Sequence, residues 1–297
     1  FNSNEIAETE DASEAMQEVI EYWRELRADA EEREQNRIVH ERTVRIHIQR
    51  QDSMVLSVLK KCYRYMNGAH GNTWYESTNL NTQTGEEIPI DSVITDFSNL
   101  STILEAELQE KYPYLENMSM AERIENYIID DDSGYDYSLA WTLEYNGVRF
   151  FFGHYEATGT YALGSQFVTL LYSEYPELLN PMYFENVQDD FVINFDFFDC
   201  YDADLNEDGI TEYITVSPCF ECTDSTYSVC DEHYIVQVDD VVCWQEGNGY
   251  YLNTFLVRDG EQQYLYVQHT EDIKFISVFE ISDESVSLVG ELEGEIE

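Results

Sequence analysis

Residues 202–212 carry the clearest chemical signal in this sequence, because oxygen side chains alternate along them. They read Asp-Ala-Asp-Leu-Asn-Glu-Asp-Gly-Ile-Thr-Glu. Alternate side chains in a tight loop point toward one centre, which suits Ca²⁺ with its roughly six to eight oxygen ligands. Gly209 stands where such a loop turns sharply. The predicted calcium donors are the side chains of Asp204, Asn206, Asp208 and Glu212, the main-chain carbonyl of Ile210, and Asp202 as an auxiliary group.

The spacing of this loop excludes an EF-hand. Counted from Asp204, the position that needs a bidentate Glu is Thr215, and predicted strands rather than helices flank the loop. The pattern instead resembles the short calcium loops of FG-GAP-type repeats. The alternative is an acidic β-turn that binds nothing. Repulsion among the carboxylates favours a divalent cation, with a structural role.

A second group of candidate ligands follows directly. Cys219 and Cys222 form a Cys-x-x-Cys pair, and Cys230 and His233 form a Cys-x-x-His pair. Three thiolates and one imidazole suit Zn²⁺. Disulfides among Cys200, Cys219, Cys222, Cys230 and Cys243 are the alternative, which export from the cell would favour. The sequence leaves zinc and disulfides open, and a redox-active pair is the weaker third option.

Charge excludes several classes of partner. The 297 residues include 61 Asp and Glu against 15 Lys and Arg, which gives a net charge of −46. Such a chain repels nucleic acid and anionic lipid and attracts cationic proteins and divalent metals. No apolar run approaches the roughly 18 residues of a membrane span. Because the chain begins with Phe1, we expect a fragment or mature form that has lost a leader or lipid anchor.

Enzyme signatures are absent from the sequence. It contains no nucleophile elbow, P-loop, dinucleotide-binding motif or His-Glu-x-x-His motif. Paired carboxylates are too numerous to single out a glycosidase pair. The aromatic residues offer a platform for stacking sugars, although such residues at strand spacing more often fill cores or interfaces. An enzyme is therefore the less favoured class.

Hydrophobic periodicity predicts two domains. Residues 1–185 read as α+β: an amphipathic helix over 11–36, three strands from about residue 43 to 80, helices over 100–111 and from 119, then a hairpin and another strand. Residues 186–297 read as short strands separated by turn signals, which predicts an all-β sandwich or propeller-like domain containing the calcium loop.

Several motifs in the first domain are similar to those of one family. They are Asn-Gly-Ala-His-Gly at 67–71, Asn-Thr-Trp-Tyr at 72–75, Leu-Asn-Thr-Gln-Thr-Gly-Glu-Glu-Ile at 80–88, Trp-Thr-Leu-Glu-Tyr-Asn-Gly-Val-Arg-Phe at 141–150, and the segments at 155–161 and 167–171. Over about 12–185 the chain resembles the RsiV/PdaC-type extracellular domain. It departs from that pattern at Asn67, where glycine is usual.

The resemblance implies an α+β domain outside a Gram-positive-type cell membrane, with lysozyme as one partner known in the family. The deacetylase metal motif and the sigma-binding segment are missing, so neither activity is carried over. His70 matches the family histidine, and we expect it to support its turn through a hydrogen bond rather than to catalyse.

These observations predict an extracellular, calcium-stabilised binding or sensing protein of a bacterial envelope, secreted or lipid-anchored. A cationic protein such as lysozyme and a cell-wall glycan are the candidate ligands. Two alternatives stay open: part of a cell-wall-active enzyme, or a structural module of a larger surface protein.

Overall fold

The computed structural model describes residues 40–128, 139–185, 187, 190–196, 200–206, 208, 211–223, 226–246, 252–260, 262–270 and 274–294. The predicted helix over 11–36 lies outside these residues. The chain divides into two compact units, residues 1–43 with 63–72, and residues 44–62 with 73–297. The predicted domain boundary near residue 185 stays a prediction.

Antiparallel sheets and a few helices form the N-terminal part, as the sequence predicts. The first sheet has the strand order β1 (His40–Gln51), β2 (Val55–Met66), β3 (Asn72–Asn81). Three helices follow: α1 (Ile90–Val93), α2 (Leu100–Lys111) and α3 (Ala121–Ile128). The second sheet has the order β4 (Ala140–Leu143), β5 (Gly147–Phe152), β6 (Gln166–Leu171).

An apolar core joins the helices to the second sheet. Leu100, Leu104 and Leu108 recur every four residues along α2 and are fully buried, as are Val148 and Phe150 of β5. Each such side chain contributes about 1.5–3 kcal/mol when it leaves water. The helical spacing of α2 therefore determines which face of the helix packs inward.

The C-terminal part is a sandwich of two antiparallel sheets. One has the order β11 (Val241–Glu246), β10 (Thr226–Val238), β9 (Glu212–Thr223), β8 (Cys200–Ala203). The other has the order β15 (Val286–Glu293), β14 (Lys274–Ile281), β13 (Gln262–Thr270), β12 (Leu252–Asp259), β7 (Phe191–Asp196).

Alternation along the strands creates the core of this sandwich. Ile214 and Val236 from the four-stranded sheet and Leu256, Leu265 and Phe279 from the five-stranded sheet are fully buried in one cluster. Their sequence neighbours point away from the core, as the period of two requires. The predicted fold class, α+β followed by all-β, is confirmed.

Candidate functional site

The acidic loop predicted to bind calcium joins two neighbouring antiparallel strands. Ala203 at the end of β8 pairs with Glu212 at the start of β9. Asp204 Oδ1 and Asn206 Oδ1 both accept hydrogen bonds from the backbone N–H of Asp208, at 3.1 and 3.0 Å. The oxygens of Asp204 and Asn206 are thus turned toward one point of the loop. Glu207, Gly209 and Ile210 lie outside the described residues.

Glu212 closes the loop from the other side. Its Oε2 accepts a hydrogen bond of 2.7 Å from the backbone N–H of Leu205, and the residue is 5% exposed. Burial raises the pKa of Glu212, and the charges of Asp204 and Asp208 raise it further against the opposing effect of the Leu205 N–H. The three carboxylates therefore repel one another, which is the condition that a cation would relieve.

Asp283 is a further acidic residue at this loop that sequence reasoning missed. It lies in the turn between β14 and β15, and its Oδ2 is 3.1 Å from Asn206 Nδ2, as is Asp208 Oδ2. Gln263 of β13 donates to the Leu205 carbonyl at 2.7 Å. The five-stranded sheet thus supports a loop that belongs to the four-stranded sheet. The local sequence holds no signal for Asp283, which is 77 residues from Asn206.

Among the described residues, no group of three or more His, Cys, Asp or Glu side chains is arranged to hold a metal ion. The loop offers carboxylate and amide oxygens, the donors that Ca²⁺ prefers, but in this structure they hydrogen-bond to the loop itself. The assignment of the predicted calcium ligands stays a prediction.

Asp202 has a different partner. Its carboxylate forms an ion pair with Lys111 at the end of α2, and its backbone carbonyl accepts a 2.9 Å hydrogen bond from Arg149. Burial lowers the pKa of Lys111, and the charge of Asp202 counteracts that shift. An auxiliary role in calcium binding stays a prediction for Asp202.

Arg149 extends this pair into a buried polar cluster. The guanidinium carbon stacks 4.0 Å from the ring centre of Tyr201, and Tyr201 donates a 2.6 Å hydrogen bond to Glu144. Burial alone would lower the pKa of Arg149, but the charges of Glu144, Tyr201 and Asp202 hold it above its ordinary value. The cluster connects α2, β5 and β8, and sequence reasoning did not identify it.

The predicted zinc ligands lie on one hairpin. Cys219 and Cys222 belong to β9, and Cys230 and His233 belong to β10, which pairs with β9 and has an irregular register between Val229 and Tyr234. The side chains of the three cysteines lie outside the described residues. The choice between zinc and disulfides among them stays open.

Within the described residues, Cys62, Cys200 and Cys243 form no disulfide. Burial raises the pKa of Cys200 to about 11, although nearby Lys111 acts to lower it. The Cys200 thiol is therefore protonated at neutral pH, and a protonated thiol is a poor nucleophile.

His70 behaves as a turn residue. Its Nδ1 donates a 2.9 Å hydrogen bond to the carbonyl of Gly71, and Asn67 in the same turn has a positive φ of 57°. The expected support of the turn by His70 agrees with this hydrogen bond.

A partly buried acid that the sequence analysis missed lies after β5. Glu156 Oε2 accepts a 2.6 Å hydrogen bond from the backbone N–H of Gly153. Burial raises the pKa of Glu156 to about 7, against that hydrogen bond, which lowers it. The neighbouring ring of His154 stacks on Tyr161 at 4.3 Å, and Tyr155 between them has a φ of 71°. This loop combines a strained residue with an acid that titrates near neutral pH.

A cavity of about 240 Å³ opens beside the acidic loop. Its wall includes Asp204, Gln263 and Arg258, and a stacked aromatic pair, Tyr145 and Phe191, whose ring centres are 4.4 Å apart.

No helix in the described part of the chain is long and apolar enough to cross a membrane.

Comparison with solved structures finds similarity to the DUF3298 family, which includes RsiV/PdaC-type domains. One is a family member from Bacteroides fragilis, with 18% identity over 57% of this chain and 67% of that chain and a TM-score of 0.43. Another is from Pseudomonas aeruginosa, with 15% identity over 52% of this chain and 71% of that chain and a TM-score of 0.35. No protein-family model and no curated protein matches the chain.

The Lys111–Asp202 pair supports a double-mutant cycle. Its side chains are 16% and 6% exposed. Lys111→Met or Asp202→Asn alone leaves the remaining charged group buried without its partner, which should lower the free energy of unfolding by roughly 3–5 kcal/mol. The double variant should cost clearly less than the sum, as measured by urea denaturation. The exposed pair Lys60 and Glu76, 42% and 48% exposed, serves as control, with a coupling of at most about 1 kcal/mol. Additive effects at Lys111 and Asp202 would contradict this.

Glu156→Gln should make stability less dependent on pH. The unfolded chain releases the Glu156 proton near pH 4.5, and the folded protein releases it only near pH 7. The free energy of unfolding therefore falls as pH rises between these values, because ionisation of Glu156 is easier in the unfolded chain. The Gln variant should exceed the natural protein by up to roughly 3 kcal/mol at pH 8 and by little at pH 4. Denaturant titrations across pH measure this difference, with Glu125→Gln on the exposed face of α3 as control. A difference that does not vary with pH would exclude the effect.

Proposed function

We propose that this chain is a binding or sensing protein that works outside a bacterial cell and whose loop between β8 and β9 is stabilised by Ca²⁺. The observation that carries the calcium proposal is the loop geometry: two side-chain oxygens converge on the N–H of Asp208, and buried Glu212 closes the loop. Asp204, Asp208 and Glu212 bring three negative charges into this space, and the pKa of Glu212 is raised partly by the other two.

A calcium ion in this loop would act as a structural clip. It would neutralise the carboxylates and replace the weak internal hydrogen bonds of Asn206 and Asp208, with the Ile210 carbonyl as a further donor. Because Asp283 lies beside Asn206, the ion would also strengthen the connection between the two sheets of the sandwich. Zinc at Cys219, Cys222, Cys230 and His233 is a separate and weaker proposal.

The net charge of −46 supports a cationic partner. Three of the few cations, Arg50, Lys111 and Arg149, are paired inside the protein with Asp52, Asp202 and Glu144. These pairs are neutral, so the net negative charge belongs to the rest of the chain. A strongly basic protein would be steered to such a surface. Lysozyme is the specific partner that the family resemblance implies.

Two other classes remain as alternatives. Turnover of peptidoglycan fragments by this chain alone would favour a cell-wall-active enzyme. Further β repeats after Glu297 in the same gene would favour a structural module of a larger surface protein. A cell-envelope binding protein needs neither observation.

Ca²⁺ should stabilise the protein through the acidic loop. Calorimetric melting after chelation and after re-addition of Ca²⁺ should show a gain of about 2.7 kcal/mol when the ion is present at about a hundred times its Kd. Asp208→Asn should lose most of this gain, whereas Asp259→Asn, which removes the same charge at an exposed position of β12, should keep it. Identical melting with and without Ca²⁺, together with no bound metal by elemental analysis, would rule out the site.

Retention on immobilised lysozyme tests the cationic partner. The full chain should bind at low ionic strength and elute as NaCl approaches about 1 M, where the Debye length falls to about 3 Å. Succinylated lysozyme, which has lost its positive charge, should not retain the chain. Absence of any salt-sensitive retention would remove lysozyme as a partner.

A further inference from the structure

The side of the five-stranded sheet that faces away from the sandwich core carries a continuous apolar and aromatic surface. We call it the outer platform and define it by Val192, Phe255, Val257, Tyr264, Tyr266 and Val278. The register places these residues side by side: Phe255 lies opposite Tyr266, Tyr266 opposite Val278, and Val257 opposite both Val192 and Tyr264.

The outer platform is partly open to solvent and ends at Gln268 and Ile276, which lie on the same face and are buried. Val192 is 52% exposed, and the other five side chains are partly exposed, whereas their neighbours Leu256, Leu265 and Phe279 on the opposite face are fully buried. Leu292 of β15 is exposed on the same face, beside buried Ile276 of β14. Contiguous apolar surface of this kind marks a binding site more often than chance.

The chemistry of the platform differs from that of the chain as a whole. Charged residues make up 26% of the sequence, yet among the described side chains in the middle of this face Glu280 alone is charged. Glu280 lies opposite Tyr264, and Asp259 lies opposite Gln262 at the edge of the face. The other polar groups described here are neutral. They include the exposed carboxamides of Asn253 and Gln262 and the hydroxyl of Tyr264, which donates a 2.8 Å hydrogen bond to Gln262.

These properties decide among possible occupants. A second copy of the chain would bring another net charge of −46 to the interface, and an anionic polymer would be repelled in the same way. A basic protein would gain more from the acidic loops than from a face with few charges. An uncharged ligand with both apolar and hydroxyl-bearing sides avoids these costs.

We propose that the outer platform binds an uncharged polysaccharide built of pyranose rings. The C–H faces of such rings pack on Phe255, Tyr264 and Tyr266, while hydroxyl or acetamido groups exchange hydrogen bonds with the tyrosine hydroxyls and carboxamides. Residues two apart on a strand are about 7 Å apart, and three adjacent strands span about 10 Å, so the platform is wide enough for more than one sugar ring. This inference rests on the proposed role as an envelope binding protein and names its glycan-binding surface.

Sedimentation with insoluble polysaccharide tests the proposal. The full chain is mixed with microcrystalline cellulose, whose rings carry hydroxyls only, and with chitin, whose rings also carry acetamido groups. Binding to either polymer supports the proposal that the outer platform binds polysaccharide. Comparison of cellulose with chitin identifies whether the platform accepts hydroxyl or acetamido substituents. Binding should persist near 1 M NaCl, roughly where charge effects are screened, unlike retention on lysozyme.

Substitutions locate the site. Tyr264→Ala and Tyr266→Ala should each weaken binding about tenfold, and Tyr266→Phe, which keeps the ring, should lose less. Trp244→Ala is the matched control, because Trp244 is a 59% exposed aromatic on β11 of the other sheet. Thermal melting checks that each variant is folded.

Three results would overturn the proposal: no binding to either polymer, equal loss with Trp244→Ala, or a dimer of the natural chain that Tyr266→Ala converts to monomer. None of these results would alter salt-sensitive retention on lysozyme. Failure of the platform is therefore distinguishable from failure of the proposed function.

Discussion

Two largely buried cations, Lys111 and Arg149, both bond Asp202 of β8, and Arg149 is held in addition by Thr169 and Glu144. Lys111 Nζ lies 3.5 Å from the ring centre of Phe167 and pairs with the Asp202 carboxylate, and Arg149 bonds the Asp202 backbone carbonyl. Leaving either cation unpaired would cost several kcal/mol. The helices and second sheet therefore depend on a strand that begins the C-terminal sandwich, and the two parts stabilise each other at this cluster.

A second buried arginine repeats this arrangement. Arg50 is 1% exposed, forms an ion pair with Asp52, and donates to the backbone carbonyls of Glu144 and Tyr183. In a chain with only 15 basic residues, Arg50, Lys111 and Arg149 are each buried beside a carboxylate. These internal pairs are neutral, so the net charge of −46 belongs to the rest of the chain, where it restricts which partners can approach.

Periodicity predicted much of the fold because one face of each element packs against a single core. The helix over 100–111 and the Asn-Gly turn before β5 have local signals, and the structure agrees with both. The strand β1 forms as its period of two predicts, but its faces are reversed: Val44, Ile46 and Ile48 are exposed, whereas His47 and Gln49 are buried. The short strand β8 had no such signal, since its residues Cys200 and Asp202 face groups that are distant in sequence. For the same reason Asp283 could not be assigned to the acidic loop.

The long-range contacts of β1 also constrain the order in which the chain can fold. Ile48 donates its backbone N–H to Asn194, 146 residues later, and Arg50 donates to Tyr183, 133 residues later. A chain made from its N-terminus can pair β1 with β2 early, but the backbone N–H of Ile48 reaches its acceptor only after β7 has been made. High contact order of this kind slows folding and lengthens the time during which the strand edge is open. The dense negative charge of the chain then reduces aggregation during folding, because like-charged nascent chains repel one another before the strand edge is covered.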